Sequence, residues 1–287
     1  MARAGGLERQ QALRIAFYAV PAAILMLAVF AVPLGTVVIQ SFTSEASPGF
    51  TLASYAKILS ATLFVRVSWK TLEITLLATA FALLLAYPLA YYMAQQPPRR
   101  RAMLMILVLV PFWTSVLVKS FAFTVILGQS GLVNTAISWL GLPPVKLLFN
   151  RIGVIIGMSH FLVPFMVFPI LSNLLNQPRD LVSAASILGA GKWRIFWRVT
   201  LPLSMPGVMA GVLLVMILSL GFYVVPALLG GRQDMMLANL VDFYAREIID
   251  WPMASALSVI LMGTAAIAAI ILSLIPGGSA ILGGDER

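Results

Sequence analysis

A basic stretch with two glycines, "ASILGAGKWRIFWRVTLP" at 185–202, contains residue types that could hold a phosphate. A phosphate-binding loop requires Gly, four residues, then Gly-Lys-Ser/Thr, after a strand and before a helix. Gly191 and Lys192 fit that pattern, but Ser186 stands where the first glycine belongs and Trp193 follows the lysine. The preceding "LVSAASIL" is typical of a helix. The spacing therefore argues against a nucleotide site at Lys192.

Composition limits the other kinds of chemistry. The chain of 287 residues has no cysteine and one histidine, His160. Disulfides, thiolate metal sites and cysteine nucleophiles are therefore excluded, and no metal site is predicted. Hydrophobic residues make up 61% of the chain and charged residues 10%, whereas soluble domains have about 25% charged residues. We therefore predict an integral membrane protein. In such proteins an excess of Lys and Arg usually lies in the cytoplasmic loops, so the net charge of +9 does not predict nucleic-acid binding.

Six apolar runs are long enough for the ~20 helical residues that cross a hydrocarbon core. They are 15–39, 72–93, 103–127, 152–175, 206–229 and 253–275. The first is longer than a signal-peptide core, so we keep it as a helix. The chain then divides into a cytoplasmic segment 1–14, a six-helix domain 15–275 with a loop at about 176–205, and a cytoplasmic tail 276–287. The stretch 128–151 is apolar, but its Pro and Gly residues argue against a seventh span.

The distribution of Lys and Arg predicts the orientation. With the N-terminus inside, the inner segments hold Arg3, Arg9, Arg14, Arg99, Arg100, Arg101, Arg179, Lys192, Arg194, Arg198 and Arg287, and the outer segments hold Lys57, Arg66, Lys70, Lys146, Arg151, Arg232 and Arg246. The inner set is larger and includes the compact turn "PPRRR". We therefore expect both termini in the cytoplasm.

The loop at 176–205 is predicted to form two short helices. "DLVSAASIL" has a face of small residues, Gly189 and Gly191 flank a turn, and "KWRIFWRVTLP" alternates aromatic and basic residues at helical spacing. Small residues let another surface approach, and aromatic and Arg side chains are enriched where proteins dock. An alternative is an interfacial helix that Trp and Arg anchor at the lipid headgroups.

This loop resembles the cytoplasmic motif of binding-protein-dependent ABC importer permeases: Glu-Ala-Ala, three residues, Gly-Ala, a basic helix with Phe, then Leu-Pro. The matching residues, with Lys192 in the basic helix, are Ala184, Ala185, Gly189, Ala190, Phe196, Leu201 and Pro202. Ser183 replaces the usual Glu, and Asp180 lies one turn earlier. The resemblance implies an all-α, six-helix type I permease fold, in which this loop is the coupling helix that sits in a cleft of an ATPase subunit.

Further segments, "VPFWTSVLVKSFAF", "FLVPFMVFPIL" and "DWPMASALS", resemble the spermidine/putrescine importer group. The resemblance implies a non-catalytic subunit of the bacterial inner membrane that moves a small organic solute, and a polyamine is the leading expectation. It also implies a second permease subunit, two ATPases that hold the ATP and Mg²⁺, and an extracytoplasmic binding protein. Alternatives are another solute of the same group, a secondary transporter and a membrane-embedded enzyme, but internal repeats and convergent buried carboxylates are lacking.

Six residues are candidates for the solute path: Trp113, Lys119, Tyr223, Asp242, Tyr244 and Glu247. Polar groups at membrane depth are costly in lipid and often mark a pathway. Lys119 could instead snorkel or form an ion pair, Trp113 and Tyr223 could serve packing, and the last loop could simply be solvated. Glu73, three residues after Lys70, predicts a local ion pair.

Overall fold

The protein is described by a computed structural model over residues 4–44 and 49–274, which form helices joined by turns. The helices are α1 Ala4–Ser41, α2 Ala53–Ser60, α3 Thr62–Ala94, α4 Pro98–Trp113, α5 Val116–Leu127, α6 Leu132–Trp139, α7 Arg151–Asn176, α8 Arg179–Ile187, α9 Lys192–Ile195, α10 Leu201–Leu220, α11 Val224–Leu229, α12 Leu237–Phe243 and α13 Trp251–Ser273. Two π-helical stretches, Phe196–Thr200 and Tyr244–Ile248, join α9 to α10 and prolong α12.

Six segments of the described chain are long and apolar enough to cross a membrane, which confirms the predicted number. They are Ala23–Ser41, Thr62–Ala94, Val116–Trp139, Arg151–Asn176, Lys192–Leu220 and Trp251–Leu272. Because α1 begins at Ala4, most of the predicted segment 1–14 continues the first helix. Residues 1–3 and the predicted tail 276–287 lie outside the described residues. The domain limits and the cytoplasmic placement of the termini stay predictions.

The core lies where α3, α7 and α10 pack together. α3 contributes a row of small side chains and α7 a row of large ones, each at every fourth position. The rows are Ala78, Ala82, Ala86 and Ala90 on α3 and Met158, Leu162, Met166 and Ile170 on α7, all fully buried. Small residues let helix backbones approach closely in a membrane, where association depends on packing. α10 approaches α7 in the same way, since a Cβ on Gly207 would lie 2.8 Å from the carbonyl oxygen of Pro169.

The predicted third span, 103–127, is wrong as a single helix. The backbone leaves the helical conformation at Thr114 and Ser115, which separates α4 from α5. The Thr114 hydroxyl donates to the carbonyl of Pro111 at 2.8 Å, and such local side-chain bonds compete with the helical ladder. By length and hydropathy, the membrane-length segment here is Val116–Trp139.

The predicted fifth span, 206–229, is also displaced. The helix runs without interruption from Lys192 to Leu220 and ends at Gly221, so that α11 is a separate short helix. The basic aromatic stretch predicted as a surface helix is therefore the first part of this membrane helix. Its Lys and Arg residues lower the local hydropathy, which moved the predicted start of the span to a later residue.

One end of the bundle, where α3, α7 and α13 begin and α12 lies, is held by a chain of ion pairs; we call it the α12 end. The Glu73 carboxylate pairs with Lys70 at 3.1 Å, as predicted, and also with Arg151. The Arg151 Nε lies 3.4 Å from Asp234 Oδ1, and the backbone N–H of Gly231 donates to the other oxygen of Asp234 at 3.1 Å. These contacts tie α3, α7 and the segment before α12 into one unit.

Candidate functional site

Helix α8 lies at the opposite end, where α3 and α7 end and α4, α8 and α9 begin; we call this the α8 end. α8 packs against α9 and the π stretch that follows it. Four large apolar side chains of this segment are exposed: Leu181, Val182, Ile187 and Leu188. α8 follows the end of the α7 span, and Asp180, Ser183 and Ser186 interrupt its apolar face. An exposed apolar patch mixed with polar groups indicates a surface that contacts a protein or the membrane.

A tight turn fixes how α8 ends. The N–H of Ala190 donates to the carbonyl of Ala185 at 3.0 Å, and the N–H of Gly189 donates to Ser186 at 3.0 Å. This pair of bonds defines a Schellman motif, which places a residue with positive φ just after the helix. Gly189 occupies that position with φ +80°. The predicted glycine turn is confirmed, and Gly189 is present because side chains other than glycine are strained there.

An aromatic cluster joins the second half of the loop to the bundle. The Phe196 ring lies edge-on to Tyr91 and Tyr87 of α3, with ring centroids 5.3 and 6.0 Å apart. Tyr87 continues the contact through a 2.9 Å hydrogen bond to Ser204 of α10. Edge-to-face pairs at these distances contribute about 0.5–1.5 kcal/mol each beyond burial. The loop is therefore packed against both α3 and α10.

The residues of the predicted motif fall into two groups. Ser183, Ala184 and Ala185 lie on α8, and Gly189 and Ala190 form the turn after it. Lys192, Phe196, Leu201 and Pro202 lie on the continuous helix that follows. Phe196 is half-buried whereas Ser183 and Ala184 are exposed, so the motif contains both an anchor and a surface. Sequence reasoning missed Tyr87 and Tyr91, whose spacing of four residues on α3 was the available signal.

Two of the predicted path residues line the same cavity. A space of about 700 Å³ between α1, α10, α12 and α13 is lined by Tyr223 and Asp242, together with Arg246 and Trp251. The Asp242 carboxylate is paired with Arg246 at 2.8 Å. Aromatic faces beside a carboxylate can hold an ammonium group, provided that the amine replaces Arg246 as the partner of Asp242.

Lys119 lies at the break between α4 and α5. Its ammonium donates to the carbonyl of Pro111 and lies 3.9 Å from the centre of the Phe161 ring. It lines a cavity of about 170 Å³ together with His160 and Phe222. The ammonium is thus held, partly buried, at a broken helix, the type of backbone that is found around solute sites.

The other three candidates lie apart from these cavities. Trp113 is exposed at the end of α4. The Tyr244 ring packs on Phe64 with centroids 6.0 Å apart, and Glu247 is exposed on the same π stretch. The structure therefore does not bring the six residues to one place. Within the described residues, no three His, Asp or Glu side chains come together in an arrangement that could hold a metal ion.

With this geometry, the fold and the loop define a class. The family of binding-protein-dependent transport system inner membrane components matches residues 86–278. The chain belongs to this family: it is a permease of an ABC importer, a non-catalytic, multi-pass protein of the bacterial inner membrane. Permeases of this kind work with an ATPase and a solute-binding protein.

Among particular proteins, the chain is similar to the spermidine/putrescine transport system permease protein PotB of Escherichia coli (strain K12), with 37% identity over 214 residues, 74% of this chain and 78% of PotB. PotB of Haemophilus influenzae is 36% identical over 211 residues, 73% of each chain. A chain of a bacterial alginate ABC transporter, solved with an alginate pentasaccharide-bound periplasmic protein, superposes with TM-score 0.74 at 17% identity and covers 92% of this chain and 94% of that one. This similarity confirms the predicted permease fold.

Proposed function

We propose that the chain forms one half of a path by which a polyamine, spermidine or putrescine, enters the cell. The observation that carries the choice of cargo is the 37% identity to PotB over 74% of this chain. A second permease subunit supplies the other half of the path, and an outer binding protein delivers the solute. Two ATPases hold the ATP and Mg²⁺, and this chain binds no cofactor of its own.

The α8 end is the ATPase-docking site in this proposal and faces the cytoplasm. The exposed residues of α8 enter the ATPase, while the Gly189 turn and the Phe196 ring keep α8 in a fixed relation to α3 and α10. Switching by rigid-body motion requires such a stiff, packed contact. Ser183 stands where the motif has a carboxylate, so α8 docks mainly through its apolar side chains and Asp180.

The cavity lined by Tyr223, Asp242 and Trp251 is the part of the path that we assign to the amine. Tyr223 and Trp251 supply ring faces, and Asp242 supplies the carboxylate that attracts a cation. An arriving ammonium competes with Arg246 for Asp242. Trp113, Tyr244 and Glu247 lie outside this cavity, and we assign them to contacts with the second permease subunit or the binding protein.

A second candidate cargo is a small organic anion. The observation that favours it is the Lys119 ammonium, which lines a cavity at the helix break beside His160. A fixed cation at membrane depth attracts anions and opposes the passage of a polyamine. In the polyamine proposal Lys119 instead braces the break through the Pro111 carbonyl.

The experiment is reconstitution of the whole assembly in proteoliposomes with its binding protein. Spermidine and putrescine are expected to stimulate ATP hydrolysis and to accumulate inside, whereas an amino-acid derivative and a small carboxylate are not. Asp242→Asn is expected to slow polyamine uptake severalfold, and Glu247→Gln, on the same segment but outside the cavity, less so. Stimulation by the carboxylate without any response to polyamines would overturn the polyamine assignment in favour of the second candidate.

A further inference from the structure

A basic cleft opens at the α8 end, between the turn that joins α3 to α4 and the loop that carries α8. Its volume is about 940 Å³, and it is lined by polar side chains from both segments. These include Gln95, Gln96 and Arg101 on one side and Gln177 and Lys192 on the other. Arg101 and Lys192 are cations, and no Asp or Glu is among the described residues that line the cleft. The nearest acid along the chain, Asp180, is in the first turn of α8 but outside the lining.

The Arg101 guanidinium lines this cleft and has no carboxylate partner among the described residues. One of its terminal amino groups donates to the carbonyl of Gln96 at 3.2 Å. Its Nε is buried, and among the described residues it has no hydrogen-bond partner. Because that atom is closed to solvent, Arg101 acts on the cleft through its charge. No acid of the lining neutralises that charge, so the cleft favours a ligand that carries negative charge.

The backbone around the cleft adds to the same potential. α4 begins at Pro98 and the continuous helix Lys192–Leu220 begins at Lys192, and both residues line the cleft. Neither helix start has a side-chain cap or an acidic residue in its first turn. The free N–H groups and the positive end of the helix dipole attract anions at such positions, phosphate above all. Two helix starts and two cations thus converge on one space.

The position of the cleft indicates where the anion comes from. α3 ends at Ala94 and α7 at Asn176, immediately before the two segments that line the cleft. The cleft therefore lies at the surface of the membrane, and the exposed rings of Trp193 and Trp197 at the same end are of the type that marks the headgroup region. Basic pockets between helix ends at this depth hold the headgroups of anionic lipids.

We propose that the basic cleft binds the phosphodiester headgroup of an anionic phospholipid, with Arg101 and Lys192 as its principal contacts. A headgroup there neutralises both cations and bridges the α3–α4 turn to the loop that carries α8. The bound lipid therefore holds α8 in position against the bundle. That second statement rests on the proposed coupling role of α8, whereas lipid binding itself does not.

The test is native mass spectrometry of the assembled transporter titrated with phosphatidylglycerol and, in parallel, with phosphatidylcholine. The double variant Arg101→Gln, Lys192→Gln is compared with Arg99→Gln, Arg100→Gln, which removes the same charge from exposed positions outside the lining. Every cation near an anionic lipid surface adds to the attraction, so both variants lose general attraction. We expect the cleft variant to lose roughly tenfold more phosphatidylglycerol affinity than the control, and Arg101→Lys, which keeps the charge without the planar guanidinium, to fall between them.

Several results would overturn the proposal. Equal losses in the two double variants, or equal retention of phosphatidylcholine, would show that the cleft does not select an anionic lipid. Displacement of the lipid by millimolar inorganic phosphate would assign the cleft to a soluble anion. If the lipid were retained only after the ATPase is removed, the cleft would be assigned to an acidic side chain of the ATPase. None of these results depends on the cargo, so they are separate from a failure of the polyamine proposal.

Discussion

At the α12 end, Arg151 pairs with both Glu73 and Asp234 and so connects three parts of the chain. At the α8 end, the side chains of Arg99, Arg100 and Lys192 form no ion pair among the described residues, and four large apolar side chains of the α8 segment are exposed. A buried acid and its cation are costly to separate, which holds the α12 end as one body. Unpaired cations and exposed apolar groups gain most when a partner covers them, which suits the α8 end for contacts that form and move.

The largest expected effect comes from breaking the ion-pair chain. Arg151→Ala leaves the side chain of Asp234, 9% exposed, without its cation. Because the Arg151 side chain is itself 29% exposed, we expect a loss of about 3 kcal/mol, the lower end of the range for a broken buried pair. Thermal unfolding of the purified protein in detergent measures this change. Arg151→Ala with Asp234→Asn is the control and should recover part of the loss, because the unpaired charge is gone.

At the α8 end we expect a smaller loss of stability than for Arg151→Ala, together with a large loss of transport. Phe196→Ala removes a half-buried ring that contacts Tyr91 and Tyr87. The stability cost is about 2 kcal/mol, below the 3–5 kcal/mol of a fully buried ring. Uptake should be largely lost while the ATPase of the assembly stays active, since α8 no longer moves α3. Trp139→Ala, an exposed ring near the other end, is the control, and equal uptake in the two variants would contradict the coupling role.

Two glycines in the loop make a matched pair. Neither would meet another atom within 4 Å if it carried a Cβ, but Gly189 has φ +80° and Gly191 has φ −69°. Gly189→Ala should therefore strain the turn by about 1–2 kcal/mol, whereas Gly191→Ala should be neutral. Substrate-stimulated ATP hydrolysis depends on the position of α8 in the proposed function, so it should change in Gly189→Ala and not in Gly191→Ala. The same activity in both variants would show that the position of α8 does not depend on this turn.

The features that could be predicted from the sequence are those that depend on residues close together along the chain. Hydropathy predicts six spans, Lys70 and Glu73 are one turn apart, and Gly189 ends a helix by a local rule. Arg151 reaches Asp234 only because the fold brings distant segments together, so no spacing predicted that contact. The break after Trp113 was missed because hydropathy sums residues and does not register a hydroxyl that bonds to the backbone.

The smallest expected effect tests whether every ion pair at the α12 end is structural. Asp242 and Arg246 are one helical turn apart, and the Arg246 side chain is 74% exposed. An exposed pair of this kind contributes about 0.3–0.5 kcal/mol, so Arg246→Ala should barely change thermal unfolding. It frees Asp242 for an arriving amine, and the proposed role of that residue predicts a lower half-saturating polyamine concentration for uptake. An unfolding change as large as that of Arg151→Ala would place this pair in the rigid unit and remove the distinction between the structural pairs and the one at the cavity.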